Sequence, residues 1–266
     1  MTSLRTVLIC HHDAPLHSEG IARWLASWST FAGTVVVHEP RGLLRRRLRR
    51  EYERVGAMRL LDVLAGRVYF RLRNAARDEA WVQDRLAELQ RTYPPVPAET
   101  PVVHVTSPNS QESQRFLEEA RPDIILALCK NLLAKRIFRT ARVGTFVLHP
   151  GICPEYRNAH GCFWALAHDD RERVGMTMLK IDEGVDTGPI FGYFTADFDE
   201  VAESHVVIQQ RMVVDNLPAI AERLAAVAAG EVQPVSVDGR ESRVWGQPWL
   251  SSYLRWKRRA RARHRA

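Results

Sequence analysis

The chain has 266 residues, 45% of them hydrophobic, and 38 lysines and arginines against 31 acids give it a net charge of +7. That length holds one large domain, or one domain with an appendage. The composition excludes a membrane-spanning protein, since runs such as Ile124–Cys129 fall far short of ~20 apolar residues, and also a disulfide scaffold, since Cys10, Cys129, Cys153 and Cys162 are sparse and lack CxxC spacing.

The N-terminus, MTSLRTVLICHHD, carries neither the long apolar stretch nor the small-residue cleavage site of a signal peptide, so a cytoplasmic location with reduced thiols is expected. Arg5–Cys10 reads as a first strand and His11 to Pro15 as the loop after it. Ser18 is placed to cap a helix through Trp28, with Ile21, Trp24, Leu25 and Trp28 on one face. Thr34–His38 is a second strand, and strand-helix-strand opens a parallel α/β sheet. His11, His12 and Asp13 have no spaced cluster of further ligands, so no metal is expected there.

Pro40 ends this pattern. Residues 41–92 read as an insertion of two or three helices, with apolar residues from Leu43, Leu44 and Leu48 to Leu72 at helical spacing and Gly56 and Gly66 as breaks or bends. Its cations from Arg41 to Arg54 suit a solvated face, a membrane surface or oligomer contact, or a nucleic acid. Val102–Val105 is the third strand, followed by a helix to Ala120 capped by Asn109 or Ser110. Ile124–Cys129 is wholly apolar, as a strand buried on both faces requires. Thr145–Leu148 is another strand, and it stops at His149-Pro150-Gly151.

A loop bearing Tyr156, Arg157 and Asn158 follows, then a short amphipathic helix with Phe163, Trp164 and Leu166. Met176–Ile181 and Gly188–Ala196 read as a hairpin around the acidic turn from Asp182 to Pro189. Glu203–Ala228 is expected to be one long helix, kinked at Pro218 and stopped by Gly230. The rest, Val235–Tyr253, suits a short hairpin or extended strap. The last stretch, 255–265, holds seven cations and is expected to be a solvated or disordered end, or to attract an acidic membrane surface, nucleic acid or protein. The expected division is an α/β domain over 1–230 and a strap with a basic tail over 231–266.

A histidine at a strand end and an aspartate in a glycine turn can meet as a base and its orienting carboxylate, which singles out His149 and Asp186. The pattern HPG-x-x-P-x-YR, a WAL helix and DEG-x-DTGPI resembles the catalytic half of the 10-formyltetrahydrofolate-dependent formyltransferases, a group that includes glycinamide ribonucleotide, methionyl-tRNA and nucleotide-amino-sugar formyltransferases. The resemblance implies a Rossmann-like, mostly parallel α/β sheet, with the helical insertion and a C-terminal helix plus strap. It implies formyl transfer from 10-formyltetrahydrofolate to a primary amine, with His149 as proton shuttle and Asp186 holding it. Cys129, Lys130, Asn131, Leu132 and Leu133 match the loop that contacts the folate, and Asp182 joins them. Tyr156, Arg157 and His160 are expected on the acceptor.

The family's Asn two residues before the histidine is Val147 here, so an oxyanion donor must come from Asn158, His160, a backbone N–H or water. The family's glycine-rich phosphate loop is missing after the first strand, and the chain has no room for the C-terminal barrel of the tRNA enzymes. A small-molecule amine, such as a nucleotide-linked amino sugar, is therefore expected as acceptor, without specific nucleic-acid binding. The Val147 replacement leaves open a donor hydrolase, another acyl transfer, or a folate-fold binding protein with decayed catalysis.

Overall fold

The structure, a computed structural model, describes residues 4–40 and 43–265. Arg41 and Gly42, at the start of the insertion, lie outside the described residues, as do the side chains of Leu43, Leu44 and Leu48. Strands Arg5–His11 (β1) and Thr30–Val37 (β2) are joined by a π-helical turn, Leu16–Ile21, that continues into helix Ala22–Trp28 (α1). Ser18 does not cap this helix. It lies inside the first turn, where its hydroxyl donates to the Ala14 carbonyl at 3.3 Å. The apolar face is as expected, with Ile21, Trp24 and Leu25 buried.

The insertion is two helices, Leu43–Arg73 (α2) and Ala75–Thr92 (α3). Gly56, at φ 76° and ψ 173°, breaks the first of them, a conformation that glycine adopts without a Cβ penalty. Gly66 stays helical and faces the backbone of Pro248 and Leu250. Next come Val102–Val105 (β3), Gln111–Ala120 (α4), Ile124–Leu128 (β4), Lys135–Phe138 (α5) and Gly144–His149 (β5). Ser110 caps α4 by accepting from the Ser113 N–H at 3.1 Å. Arg157–Asn158 (β6), Gly161–Ala167 (α6), Met176–Lys180 (β7) and Ile190–Phe194 (β8) complete the middle of the chain. Every residue of α6 is buried, so it is a core helix rather than an amphipathic one.

Where one helix was expected over 203–228, two form, His205–Val214 (α7) and Leu217–Ala228 (α8). The Ser204 hydroxyl caps α7 by accepting from the N–H groups of Val206 and Val207. Pro218 does not kink a helix; it sits in the first turn of α8, where a missing N–H leaves no bond unmade. Val244–Trp245 (β9) pairs only with β6, so the strap is extended and not a hairpin.

The tail is a further correction. Residues Leu250–Arg265 form helix α9, whose Tyr253, Trp256 and Ala260 enter the main core. The buried Lys257 amine donates to the carbonyls of Glu200, Val201 and Glu203, and Arg263 pairs with Asp169 and Glu200, each at 2.7 Å. Tryptophan burial outweighs the charge density of the segment, because the arginines need only keep their heads in water.

Seven strands form one sheet in the order β3-β2-β1-β4-β5-β7-β8. The first five are parallel, and β7 and β8 run antiparallel as the expected hairpin. Alternate residues of β1 serve two cores. Leu8 and Cys10 face the larger one with Trp24, Phe163 and Trp256, while Val7 and Ile9 face Leu117 and Ile137.

Candidate active site

The strand order reverses between β1 and β4, and an open parallel sheet leaves a ligand crevice past its strand ends at such a point. A cavity of about 570 Å3 lies there. Its walls come from His11 and residues 13–17 after β1, residues 127–133 at the end of β4, Val147–Pro150 at the end of β5, the 181–186 turn, and Gln209, Gln210 and Val213 of α7. Glu79 and Val82 of α3 also line it, so the insertion helps to build the crevice.

His149 is buried at the cavity wall, with its Nδ1 3.5 Å from Asp186 Oδ2. Its Nε2 lies 2.7 Å from the Tyr156 carbonyl oxygen. A carbonyl only accepts, so Nε2 carries the proton, and Nδ1 is the nitrogen free to gain or lose one. Asp186, at φ 51°, also accepts the Asn158 N–H at 2.8 Å, which fixes the carboxylate facing the ring. The ring thus faces an acceptor on each side, the carbonyl at Nε2 and the carboxylate at Nδ1.

Two glycines permit this arrangement. A Cβ on Gly151 would stand 2.6 Å from the Tyr156 oxygen and 2.8 Å from His149 Nε2 and from the Gly161 Cα. The Thr177 hydroxyl locks the same loop, donating to the Gly151 carbonyl at 2.6 Å and accepting the Cys153 N–H at 2.9 Å.

The expected folate loop lines the cavity with all of Cys129, Lys130, Asn131, Leu132 and Leu133. It is held by the Lys130 N–H donating to His11 Nε2 at 2.9 Å and by Asn109, which receives the Ala134 N–H at 2.6 Å and donates to the Leu132 carbonyl at 2.9 Å. Asn131 Oδ1 is buried with no partner. Asp182 lines the cavity too, though its Oδ1 accepts from the Gly184 N–H and the Thr187 hydroxyl and so shapes the turn. Val147 also lines the wall, on the same face of β5 as His149.

Asn158 reaches the cavity, and one amide N–H bonds to the Trp245 carbonyl. Tyr156, Arg157 and His160 are not on the cavity wall. The Tyr156 ring stacks on Trp245 and its hydroxyl donates to Asp170 at 2.8 Å, so burial and that bond hold it in the core. Arg157 is half-buried, its Nε without a partner. His160 packs against the ring of His205, and burial pushes it down to about 4. Burial likewise pushes the thiols of Cys10, Cys153 and Cys162 up to about 12, which leaves them poor nucleophiles. Among the described residues no group of three or more His, Cys, Asp or Glu is placed to hold a metal ion.

Sequence reasoning missed the far wall. His17, Gln209 and Gln210 line it, and His17 Nδ1 and Gln209 Oε1 are buried without partners. Burial pushes His17 down to about 4, so it meets a ligand as a neutral imidazole. Nothing in the chain marks these residues, since a Gln pair inside an apolar helix has no motif.

Solved structures share the fold: a phosphoribosylglycinamide formyltransferase from Anaplasma phagocytophilum matches at TM-score 0.54 with 12% identity, covering 93% of this chain and 100% of that one. A sugar N-formyltransferase from a Shewanella species matches at TM-score 0.53 with 14% identity, over 95% and 87% of the two chains. In sequence, the methionyl-tRNA formyltransferase of Kosmotoga olearia is 37% identical over 91 residues, 34% of this chain and 29% of that protein. That of Lachnospira eligens is 31% identical over 144 residues, 53% of this chain and 45% of that protein, so the chain spans less than half of either relative. The family model described as formyl transferase matches residues 77–222, more than half of the chain, which therefore belongs to the formyl transferase family.

Proposed function

We propose that the protein transfers the formyl group of 10-formyltetrahydrofolate to a primary amine of a small acceptor. The observation that carries this reading is the His149–Asp186 pair, 3.5 Å apart, in a crevice whose other walls are the 129–133 loop and the 181–186 turn. Bound folate would supply an electrophilic formyl carbon. The chain's own residues must hold the two substrates, move a proton and steady developing negative charge.

Residues Cys129 to Leu133 and Asp182 would hold the donor. The orphaned Asn131 carbonyl suits the N–H groups of a pterin edge, and Leu132, Leu133, Val147, Leu179 and Ile181 suit its flat faces. His149 Nδ1 would take the proton that the acceptor nitrogen loses and return it to the departing nitrogen. The Tyr156 carbonyl fixes the tautomer, and Asp186 stabilises the imidazolium while that proton is held. Val147 offers no side-chain donor. Asn158, with one amide N–H bonded to Trp245 and the other unused, is the donor we assign to the oxyanion.

His17, Gln209 and Gln210 would meet the acceptor's polar groups, and Lys130 is the cation on the same cavity wall. Tyr156, Arg157 and His160, off the wall, would act by supporting the loop. The sugar N-formyltransferase neighbour makes amino sugars, free or nucleotide-linked, the first acceptors to try. A second reading, donor hydrolysis, draws on Val147 alone.

The test is turnover of 10-formyltetrahydrofolate by the purified protein with a panel of amines and nucleotide-linked amino sugars. Formylated amine, lost in His149→Ala and Asp186→Asn and increased in Val147→Asn, supports the transferase. Tetrahydrofolate released at the same rate with and without an amine supports hydrolysis. Absence of folate binding sinks both readings.

A further inference from the structure

A second surface stands apart from the crevice. Along α2, Met58, Leu61, Ala65, Val68 and Leu72 recur at intervals of three and four residues, which places them on one helix face. That face is open to solvent: Met58 is 81% exposed, Leu61 62%, Val68 60% and Leu72 77%. The opposite side of the helix is the packed one, with Val63 buried and Phe70 edge-on to Tyr253 of α9 at 4.7 Å. An apolar row this long on the solvent side of a packed helix marks an interaction surface.

Charge identifies what it meets. Residues 41–73 carry eleven arginines against three acids, a net +8, and residues 255–265 carry +7 with no acid. The remaining 222 residues therefore sum to −8. Apart from Arg41 and Gly42, which lie outside the described residues, these two basic segments belong to helices that pack together, joined by the Ser251 N–H donating to Asp62 at 2.9 Å and by Arg59 over the ring of Trp249 at 4.1 Å. Leu254, Arg255 and Arg258 are exposed on α9, while Tyr253 and Trp256 face inward.

From this pairing of an exposed apolar row with concentrated positive charge, we infer that α2 and the outer edge of α9 dock on an anionic lipid bilayer. The apolar row enters the headgroup boundary while the arginines meet lipid phosphates and carboxylates, as in helices that lie in a membrane surface. A second copy of the chain is a poorer occupant, because pairing the rows would press one +8 segment against another. A nucleic acid would satisfy the arginines and leave the apolar row in water. The inference is independent of the formyl-transfer reading.

The full chain would be pelleted with vesicles of phosphatidylcholine alone and of phosphatidylcholine with phosphatidylserine at about 7:3, at low and high salt. The expected result is binding to the anionic vesicles, at least about tenfold weaker on neutral ones and weakened by salt. Leu61→Glu with Leu72→Glu, and separately Arg255→Gln with Arg258→Gln, should each lower partitioning at least about tenfold, since one cation near such a surface is worth about fivefold. Both variants change exposed positions, and unchanged circular dichroism verifies their fold. No pelleting, equal pelleting with neutral vesicles, or full binding by the leucine variant overturns the proposal. A dimer in sedimentation velocity that the leucine variant dissolves gives the face to a second copy. Tighter binding to an oligonucleotide than to vesicles, insensitive to the leucine variant, gives it to a nucleic acid.

Discussion

The buried histidines make the fold acid-labile, and the size of the effect follows from the structure. His17 and His160 are pushed from 6.5 to about 4 by burial, and His205, enclosed by Phe70, Phe163 and Tyr253, is pushed well below 6.5 for the same reason. In each case the folded value lies below the unfolded one. Between about pH 4 and 6.5 the unfolded chain therefore binds more protons, and stability falls as pH falls through that window. Above 6.5 all three are neutral in both states and contribute no slope. For His17 and His160 the linkage relation gives a loss of about 2 kcal/mol each between pH 7.5 and 5.0, about 4 kcal/mol together. His205 adds to it. Set against the ~5–15 kcal/mol that ordinarily separates folded from unfolded states, this is a large fraction. Urea unfolding followed by tryptophan fluorescence should show a midpoint that holds from pH 8 to 7 and drops steadily toward 5. His205→Phe keeps an aromatic ring in the cage and removes one titrating group whose Nδ1 has no partner, so its acid loss should be smaller. A midpoint unchanged between pH 7.5 and 5.0 in the wild type refutes the reasoning.

Gly151→Ala forces a Cβ to within 2.8 Å of His149 Nε2, so it should destabilise by about 1–3 kcal/mol and lower turnover together, read by thermal melts and initial rates. Asp186→Asn removes the carboxylate charge that faces His149; on the proposed mechanism kcat should fall about 100-fold or more with a melting temperature close to wild type. Trp256→Ala empties a fully buried site and leaves the Glu200 carboxylate without its indole N–H, at a cost of about 3–5 kcal/mol in chemical denaturation. A loss under 1 kcal/mol would mean that α9 is not part of the core.

Most of the sheet was legible because each buried strand is a run of β-branched and apolar residues bounded by turn chemistry, as at Ile124–Leu128 and Gly144–His149. The break at Asp215-Asn216 was not, because the apolar stripe of α7 continues in phase into α8 and only the position of Pro218 hints at a new start. Helix α9 was hidden by its arginines. Tyr253, Trp256 and Ala260 do recur at helical spacing, but seven cations in eleven residues outweigh that sparse signal on any composition scale. In the crevice, side chains with a motif were readable, and His149 and Asp186 do face one another. The Tyr156 carbonyl, the ring's shorter contact, is backbone and leaves no trace in residue type. The Tyr156 side chain, expected on the acceptor, turns its hydroxyl to Asp170 instead.

The contact between Gly151 and Gly161 divides the crevice into two jaws of unequal stiffness. On one side His149, the Tyr156 carbonyl and the start of α6 are stitched backbone to backbone and anchored by Thr177, so the imidazole cannot shift without carrying a core helix with it. On the other, the turn from Asp182 to Thr187 is exposed at Glu183, Gly184 and Thr187, is closed by its own bonds, pairs with Lys135 through Glu183 at 2.7 Å, and meets the fixed jaw through the Asn158 N–H. The 3.5 Å between ring and carboxylate is longer than a hydrogen bond, so the two jaws meet at this pair without being bonded through it. The histidine is thus held by the core of the fold, and the carboxylate by a surface turn.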